Sequence, residues 1–477
     1  MKAITKRSDD YSKWYSDVIA AAKLAEHASV RGCMVIRPNG YAIWERIQNI
    51  LDKMFKEKGV ENAYFPLLIP EEFLKRESEH VKGFSPELAV VTHAGGKKLK
   101  DPLVIRPTSE TIIYESFSKW IHSYRDLPIV INQWVNVMRW EMRPRLFIRT
   151  SEFLWQEGHT AHETAEEAEN YALMILNDVY KKFVEKYLAI PVYAGKKSEG
   201  EKFAGALHTY GIEALMQDGK SLQAGTSHNL SDNFAKPFNV AFLNKKGNKQ
   251  YVYQSSWGVS TRLIGGLIMA HSDDKGLVLP PKIAPIQIVI IPICKTKNDS
   301  VAKEAEKINI ILSKSHTVKI DTRLNFRPGE KFYEWEKRGV PIRIEIGPKD
   351  LKNNQCVIVR RDTSEKSVCS LNEIAKTVKS ELSLMQKNLF NIALERREKT
   401  NKTANTWEEF TKLIKEGGYV FAHWCGDIKC ESQIKEKTKS VSRCLPFEGL
   451  QEDGDHFCIH CGKKTASKKR WIFAKAY

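Results

Sequence analysis

The chain has 477 residues, of which 42% are hydrophobic and 28% charged, the composition of an ordinary globular protein with more than one domain. It contains no uncharged apolar run of about 18 residues, and its first residues, MKAITKRSDDYSKWYSD, lack the apolar core of a signal peptide. We therefore expect no membrane span and a cytoplasmic location. The formal net charge of +17 is consistent with a polyanionic partner, but equally with a lysine-rich surface.

The first predicted elements are a helix and an extended segment. In YAIWERIQNILDKMFKEK (residues 41–58), apolar residues recur at the spacing of one helix face, and Gly59 predicts the helix end. The next run, NAYFPLLIP, contains two prolines and fits a sheet edge or a subunit boundary better than a central strand. Around Gly95 and Gly96, AVVTH and PLVIRPT are predicted to pair as a hairpin.

Two further strands are predicted in INQWVNVMRWEMR and LFIRTSEFLWQEGH, joined by a loop that contains Arg143, Pro144 and Arg145. The stretch FLWQEGHTAH (residues 153–162) has two interpretations: its two histidines could bind a metal, or the strand could be packed with satisfied polar groups. Because HxxH pairs are common by chance, the pattern alone favours packing. Thr164 and Glu167 then form a predicted capping box for a long helix that ends near residue 188.

A boundary between domains is predicted at PPKIAP (residues 280–285), where two prolines in succession interrupt the pattern. From 286 to about 395, the strand-like runs QIVIIPI, HTVKID, PIRIEIG and QCVIVRR alternate with helical runs, which predicts a small α/β domain. Alternation in PIRIEIG buries its isoleucines and places Arg343 and Glu345 together on the other face. That face is either solvated or available for binding.

Phosphate binding, if present, must use arginines, because the chain has no GxxxxGK[ST] loop. Three arginines stand in suggestive contexts: Arg139 in VMRWEM, Arg149 in FIRTSEF and Arg262 in WGVSTRLIGGL. On a strand, Arg139 and Glu141 would share one face and could line one pocket. Any one of these arginines taken alone is more simply a surface residue.

The cysteines are unevenly distributed, since five of the nine lie in residues 425–461. In a cytosolic chain such crowding indicates metal rather than disulfides. WCGDIKC and CIHC supply four thiolates with zinc spacing: Cys425, Cys430, Cys458 and Cys461. A closed site of four sulfurs predicts structural zinc. Cys444 is interpreted as a packing residue, although it and His460 remain alternative ligands.

The helix and proline-containing strand at 41–70, the two strands at 139–153 and the strand–helix unit that ends in Arg262 occur in an order that resembles motifs 1, 2 and 3 of class II aminoacyl-tRNA synthetases. In detail, six blocks resemble the prolyl-tRNA synthetase family. They are RPTSET (106–111), RWE (139–141), RTSEFLWQEGHTAH (149–162), LQAGTSH (222–228), SSWG (255–258) and GPKD (347–350). The similarity extends from about residue 10 to Tyr477. The resemblance implies an α+β fold: a class II antiparallel-sheet catalytic domain (1–283), an α/β anticodon-binding domain (284–397) and a small zinc-binding domain (398–477).

The resemblance also implies the site residues. Proline would be bound by Thr108, Glu110, Arg139, Trp155, His159, His228, Ser256 and Tyr477, with Glu110 facing the ammonium. ATP would be bound by Arg139, Glu141, Arg149, Gln223, Thr226 and Arg262, and Mg²⁺ would accompany it. Arg139, Arg149 and Arg262 would act in catalysis by neutralising phosphate charge, and the metal interpretation of HxxH is dropped.

The implied activity is ligation of L-proline to tRNA(Pro) through a prolyl adenylate. Glu336, Arg343 and Lys349 are the expected anticodon contacts, and motif 1 implies a homodimer. The stretch 163–254 leaves no room for the inserted editing domain of one bacterial subgroup, so the form resembles archaeal and eukaryotic enzymes, with a separate deacylase as a potential partner. A non-catalytic tRNA-binding relative is the alternative function. Among the synthetases, the blocks favour the prolyl enzyme over the threonyl, seryl and histidyl enzymes.

Overall fold

The structure is a computed structural model that describes residues 3–74, 88–294, 296 and 299–477. The helices of the N-terminal region are α1 (Tyr11–Ala21), α2 (Pro38–Lys56), α3 (Glu110–Trp120), α4 (Ala165–Met174), α5 (Lys182–Lys186) and α6 (Arg262–His271). Its first strands are β1 (Ala25–His27), β2 (Met34–Ile36), β3 (Glu61–Asn62), β4 (Leu68–Pro70), β5 (Val90–Ala94), β6 (Lys97–Ile105), β7 (Ile129–Met138) and β8 (Glu152–Ala161). The others are β9 (Val192–Lys196), β10 (His208–Leu215), β11 (Ser221–Ser231), β12 (Ala241–Leu243), β13 (Lys249–Tyr251) and β14 (Gln254–Ser260).

The predicted helix, edge segment and hairpin of the N-terminal region are confirmed. Helix α2 buries Ile43, Ile47, Leu51 and Phe55 on one face. Strand β3 is the last strand of the large sheet, and β5 pairs with β6 across Gly95 and Gly96, both with positive φ. The helix after the capping box contains a π-helical stretch, Ile175–Lys181, between α4 and α5.

The two predicted strands around residues 131–159 are shorter than the pattern suggested. Strand β7 ends at Met138 and β8 begins only at Glu152, so residues 139–151 form a connecting segment. Within it the backbone is held by local and loop contacts, such as Arg139 N to Ser151 O at 2.8 Å. The expectation that Arg139 and Glu141 lie on one strand face is therefore wrong.

The C-terminal region has four strands, β20 (Lys402–Thr403), β21 (Val420–Ala422), β22 (Val441–Pro446) and β23 (Trp471–Ala474), and two helices, α11 (Trp407–Glu416) and α12 (Ile428–Thr438). Its strands belong to the main sheet, which is largely antiparallel and has the order β20-β21-β23-β22-β9-β10-β11-β14-β8-β7-β3. The C-terminal strands join the catalytic ones where Leu445 and Pro446 pair with Lys196 and Gly195. The cysteine-rich region is thus an extension of the catalytic sheet.

The middle region forms the expected α/β unit. Its strands are β15 (Ile288–Pro292), β16 (Val318–Ile320), β17 (Ile342–Ile346), β18 (Gln355–Arg360) and β19 (Lys366–Ser370), and its helices are α7 (Ser300–Leu312), α8 (Pro328–Lys337), α9 (Pro348–Lys352) and α10 (Ile374–Thr400). The sheet order is β16-β15-β17-β18-β19. The class II fold with its two appended units is confirmed, while the domain boundaries at 283 and 397 stay predictions. Every helix among the described residues is too short or too polar to span a bilayer.

Candidate active site, anticodon face and metal cluster

A cavity of about 540 Å³ lies on one face of the main sheet. Its floor comes from β8, β11 and β14. On β8, the alternate residues Phe153, Trp155, Glu157 and His159 line the cavity. On β14, every residue from 256 to 260 borders it, and Trp257 and Val259 also pack into the hydrophobic core. Gly158 permits this packing, because a Cβ there would lie 2.1 Å from the Trp257 ring. Sheet register therefore decides which side chains the cavity receives.

The structure brings most of the predicted substrate residues together in this cavity. Those that line it are Thr108, Glu110, Arg139, Trp155, His159, Gln223, Thr226, His228, Ser256 and Arg262. Strand pairing explains part of this convergence, because His228 is opposite Ser256, and Ser256 is opposite His159. Residues far apart in the chain thus form one row across three strands.

Two buried carboxylates, Glu110 and Glu157, face the cavity. The Thr108 hydroxyl donates to Glu110, whose pKa is raised by burial and by the nearby Glu157 charge. Burial would also raise the pKa of Glu157, but hydrogen bonding and charge from His159, 3.1 Å away, lower it overall. One of the two carboxylates thus favours the ionised form more strongly than the other.

Both histidines in the row have defined partners. His159 contacts Glu157 through Nε2 and the Tyr114 hydroxyl through Nδ1, the latter at 3.2 Å. His228 Nδ1 lies 2.9 Å from the Thr209 hydroxyl, and burial lowers its pKa to about 3, which keeps the ring neutral. The histidines therefore serve as hydrogen-bonding groups.

Two guanidinium groups point into the cavity. Arg139 Nε donates to the carbonyl of Pro107 at 2.9 Å, and the group lies 5.3 Å from the Trp155 ring centroid. Arg262 Nε donates to the carbonyl of Ile148 at 3.3 Å; burial, and then the charges of Arg139 and Arg149, lower its pKa to about 10. Converging cations of this kind favour an anionic ligand.

Two fully buried polar atoms of cavity-lining residues have no hydrogen-bond partner within the described part of the chain. They are Trp155 Nε1 and Ser256 Oγ, both buried. Because buried polar groups in native proteins are nearly always satisfied, these atoms are available to a bound ligand.

Three predicted site residues do not line this cavity. Glu141 and Arg149 lie on the connecting segment and face each other at 3.6 Å, with Arg149 half exposed. Tyr477 donates its hydroxyl to Asp218 at 2.6 Å, and its ring lies 5.2 Å from the Arg145 guanidinium carbon. Because β7 ends at Met138, Arg139 and Glu141 both lie on the connecting segment, where only Arg139 lines the cavity.

Sequence reasoning missed Glu157, Thr209 and the lining residues Glu201, Lys202, Phe203 and Ala204. A signal existed for Glu157, since it alternates with Trp155 and His159 on β8 and so faces the same side of the sheet. No pattern marks residues 201–204. His162, the second histidine of HxxH, packs on Tyr171 and is not paired with His159, which agrees with dropping the metal interpretation.

The three expected anticodon contacts are divided by the structure. Glu336 and Arg343 line a small cavity of about 220 Å³, from which Lys349 is absent. Arg343 and Glu345 do share a strand face as predicted, but they form an ion pair with Nε and Oε1 2.8 Å apart. Both are largely buried, so the expectation of two exposed polar groups on this strand is wrong.

The four cysteines predicted to bind metal lie together. All four sulfurs are within 4.8 Å of one another. Cys430 and Cys458 are 3.7 Å apart, and Cys425 and Cys461 are 3.6 Å apart. Zinc bonded to four sulfurs at about 2.3 Å requires about 3.8 Å between sulfurs, so these residues fit the ion. Cys444 is buried in β22, away from the cluster, and His460 Nδ1 lies 3.4 Å from Cys430.

Comparison with known families assigns all three regions. Residues 92–271 match the tRNA synthetase class II core domain (G, H, P, S and T), residues 287–381 an anticodon binding domain, and residues 407–477 the prolyl-tRNA synthetase C-terminal domain. The chain is 54% identical over 483 residues to the proline–tRNA ligase of Chlorobium chlorochromatii (strain CaD3), with 99% of both chains covered. It is 55% identical over 484 residues to that of Chlorobaculum tepidum, again with 99% of both covered. The chain belongs to the prolyl-tRNA synthetase family.

Proposed function

We propose that this chain is a proline–tRNA ligase: it activates L-proline with ATP and transfers the prolyl group to the 3′ end of tRNA(Pro). The observation that carries the proposal is the convergence of buried carboxylates and guanidinium groups in one cavity of the class II core. The alternative, a non-catalytic tRNA-binding relative, is not favoured, because the cavity keeps both kinds of group and the proline–tRNA ligase relatives are similar along the whole chain.

In this proposal proline is bound at the inner end of the cavity. Glu110, with Thr108 beside it, accepts hydrogen bonds from the secondary ammonium. Trp155, His159, His228 and Ser256 surround the ring and carboxylate, and the unpartnered atoms of Trp155 and Ser256 support this placement. A partly apolar pocket with a few fixed polar groups is the expected design for so small a ligand.

ATP is proposed to bind beside proline, with its phosphates against the arginines. Arg139 neutralises the α-phosphate, which the proline carboxylate attacks in line with loss of pyrophosphate. Arg262 holds the distal phosphate, and Arg149, whose charge lowers the pKa of Arg262, belongs to the same field. Gln223 and Thr226 line the nucleotide site, and Glu141 accepts from the adenine amino group. Mg²⁺, when bound with ATP, supplies further neutralisation of phosphate charge.

The second step is transfer of the prolyl group to a ribose hydroxyl at the tRNA 3′ end. Glu336, Arg343 and Lys349 are the proposed anticodon contacts, supported by the anticodon-domain match and, for the first two, by their shared cavity. Tyr477 is proposed to border the active site through Arg145, which its ring contacts.

Zinc is proposed to be structural and bound by Cys425, Cys430, Cys458 and Cys461. When bound, it would hold the loop that carries Cys425 against α12 and the later cysteine pair. Chelation is expected to remove hydrogen-exchange protection from residues 420–477, and from β9 beside β22, while β15 to β19 stay protected. Loss of protection across the middle unit would contradict this.

We further propose a homodimer, a cytoplasmic location and a separate deacylase. Exposed aromatic and aliphatic side chains at Tyr64, Leu68 and Trp120, near the β3 edge, support a subunit interface. Each of the nine cysteines, all of them described, is outside any disulfide, as suits a reducing compartment. Residues 163–254 are all described, and α4, α5, the strands β9 to β13 and their connecting loops account for this stretch, which supports editing by another protein.

The testing experiment is amino-acid-dependent exchange of pyrophosphate into ATP, with proline, threonine, serine, histidine, alanine and cysteine added separately. Exchange with proline, and weaker exchange with alanine or cysteine, is expected, since one methylene discriminates by only about 1–3 kcal/mol. No exchange by folded protein would contradict the proposed function.

A further inference from the structure

One wall of the proline cavity is a loop, residues 198–204, which we call the pocket loop. Residues Glu201, Lys202, Phe203 and Ala204 of this loop line the cavity. The Phe203 ring lies 4.9 Å from that of His228, and the Phe203 N–H donates to the Thr209 hydroxyl at 2.9 Å. The pocket loop therefore touches the residues around the proposed proline ring directly.

The start of the pocket loop is held by a residue of the C-terminal region. The Ser198 hydroxyl donates to both carboxylate oxygens of Glu431, at 2.9 and 3.0 Å. The Ser442 hydroxyl of β22 also donates to Glu431, and all three residues are buried. A carboxylate buried in this way stays in place only while its donors remain.

The loop backbone passes directly over this carboxylate. A Cβ added to Gly200 would lie 2.5 Å from Glu431 Oε2, with no closer atom in its surroundings. The position of the Glu431 side chain thus limits how closely the pocket loop can approach α12. Glu431 follows Cys430, one of the four clustered cysteines, so its carboxylate lies on α12 directly beside the cysteine cluster.

Lys197, the residue before the pocket loop, takes part in a second set of buried contacts. Lys197 Nζ forms an ion pair with Glu213, and Arg443 donates to the same carboxylate through Nε and Nη2, at 2.9 and 3.0 Å. All three side chains are almost completely buried. Residues 197 and 198 are therefore each connected to the adjacent residues Ser442 and Arg443 of β22.

We propose that Glu431 is a positioning residue for the proline pocket: it sets the place of the pocket loop, so recognition of proline depends on the C-terminal region. The proposal rests on the proposed function, since it names what the loop recognises. The residues proposed to bind ATP lie outside the pocket loop, so we expect a loosened loop to weaken proline binding and to leave ATP binding unchanged.

The main test is Glu431→Gln, measured by pyrophosphate exchange at varied proline and varied ATP. Glutamine keeps the size but loses the negative charge and has an NH₂ donor in place of one acceptor oxygen, so both serines must share a single neutral carbonyl oxygen. We expect KM for proline to rise about tenfold, the effect of one hydrogen bond to a charged group, and KM for ATP to stay within about twofold. Glu436→Gln, on the exposed side of the same helix, is the matched control and is expected to match the wild type.

Ser198→Ala tests the same contact from the catalytic side, at a distance from the cysteines. It is expected to raise KM for proline without changing the zinc content, and the double variant with Glu431→Gln should be no worse than the worse single variant. If Glu431→Gln does not fold or loses metal, Ser198→Ala decides. An unchanged KM for proline in Ser198→Ala, or equal changes for proline and ATP, would overturn the inference. Absence of exchange in the wild type would instead refute the proposed function.

Discussion

Glu110 and Glu213 are both buried carboxylates of the catalytic region, but their surroundings differ. Glu213 is bound by Lys197, Arg443 and the Ser221 hydroxyl, and although burial opposes ionisation, those cations lower its pKa overall. Glu110 accepts from Thr108, lies near a second carboxylate, and has a raised pKa because of burial. Burial of a charge therefore does not mark a functional site. A buried carboxylate that lacks a full set of cationic partners and faces a cavity is the better indication of a functional site.

Removing a cation from the cavity cluster, the carboxylates and guanidinium groups around Glu110, should have the largest effect on activity. Arg139→Ala is expected to lower proline-dependent pyrophosphate exchange about 10³-fold, because a positioned guanidinium that stabilises developing phosphate charge contributes on that scale. The melting temperature should change little. Arg143→Ala, an exposed arginine of the same connecting segment, is the control and should retain exchange. Activity near the wild-type level in Arg139→Ala would remove Arg139 from the site.

Breaking the fully paired cluster of Glu213, Lys197 and Arg443 should instead lower the stability of the fold. Glu213→Ala leaves Lys197 and Arg443 buried without a counter-charge, and should lower the free energy of unfolding by about 3–5 kcal/mol. Urea titration followed by fluorescence measures this loss. Glu110→Gln is the matched comparison and should lose little stability, because burial already raises the pKa of that carboxyl. Equal losses in the two variants would erase the distinction between the clusters.

The regions that the sequence predicted well are those with a repeating local pattern. The face of α2, the β5–β6 hairpin and the alternation in β17 follow from spacing alone, and the ordered synthetase blocks led to most of the cavity-lining residues. The blocks also led to Arg139 and Arg262, which the structure places in one cavity although they are far apart in the chain.

The rest depends on contacts that no local pattern encodes. The connecting segment after Met138 departs from the sheet because its backbone bonds go to Ser151 and the loop, so Arg139 and Glu141 separate. The pairing of β22 with β9 joins residues far apart in the chain, and alternation cannot reveal it. Residues 201–204 line the cavity next to Ser198, which bonds Glu431 of the C-terminal region, and Lys197, which pairs with Glu213 of β10.

Histidines extend the comparison between the cavity and the rest of the core. Burial lowers the pKa of His228, in the cavity, to about 3, and those of His162 and His271, outside it, to about 4. In the unfolded chain each has a pKa of about 6.5, so the unfolded state takes up protons first as pH falls. The contribution of these neutral histidines to the free energy of unfolding is therefore fully present above about pH 6.5. It is lost as the pH falls further, by about 2 kcal/mol per histidine between pH 7 and pH 5.

The check is urea unfolding of His271→Gln at pH 7 and pH 5. Its loss of stability between the two should be smaller than that of the wild type by about 2 kcal/mol, since one proton-binding group is gone. His27→Gln, at an exposed position, should keep the wild-type difference. An identical pH response in His271→Gln and the wild type would contradict the assignment of a neutral buried ring.

The smallest expected effects lie in the middle unit, where the same contrast between paired and free groups applies to tRNA. Arg343 is paired with Glu345 and largely buried, whereas Lys349 is exposed in the first turn of α9. Lys349→Ala should raise KM for tRNA in aminoacylation a few fold, as expected for loss of one phosphate or base contact of about 1 kcal/mol, and should reduce its salt dependence. Arg343→Lys should act more strongly, because it also disturbs the pair with Glu345. Pyrophosphate exchange needs no tRNA, so it should be unchanged in both variants, and a fall in exchange would mean that these side chains support the catalytic region instead of the anticodon.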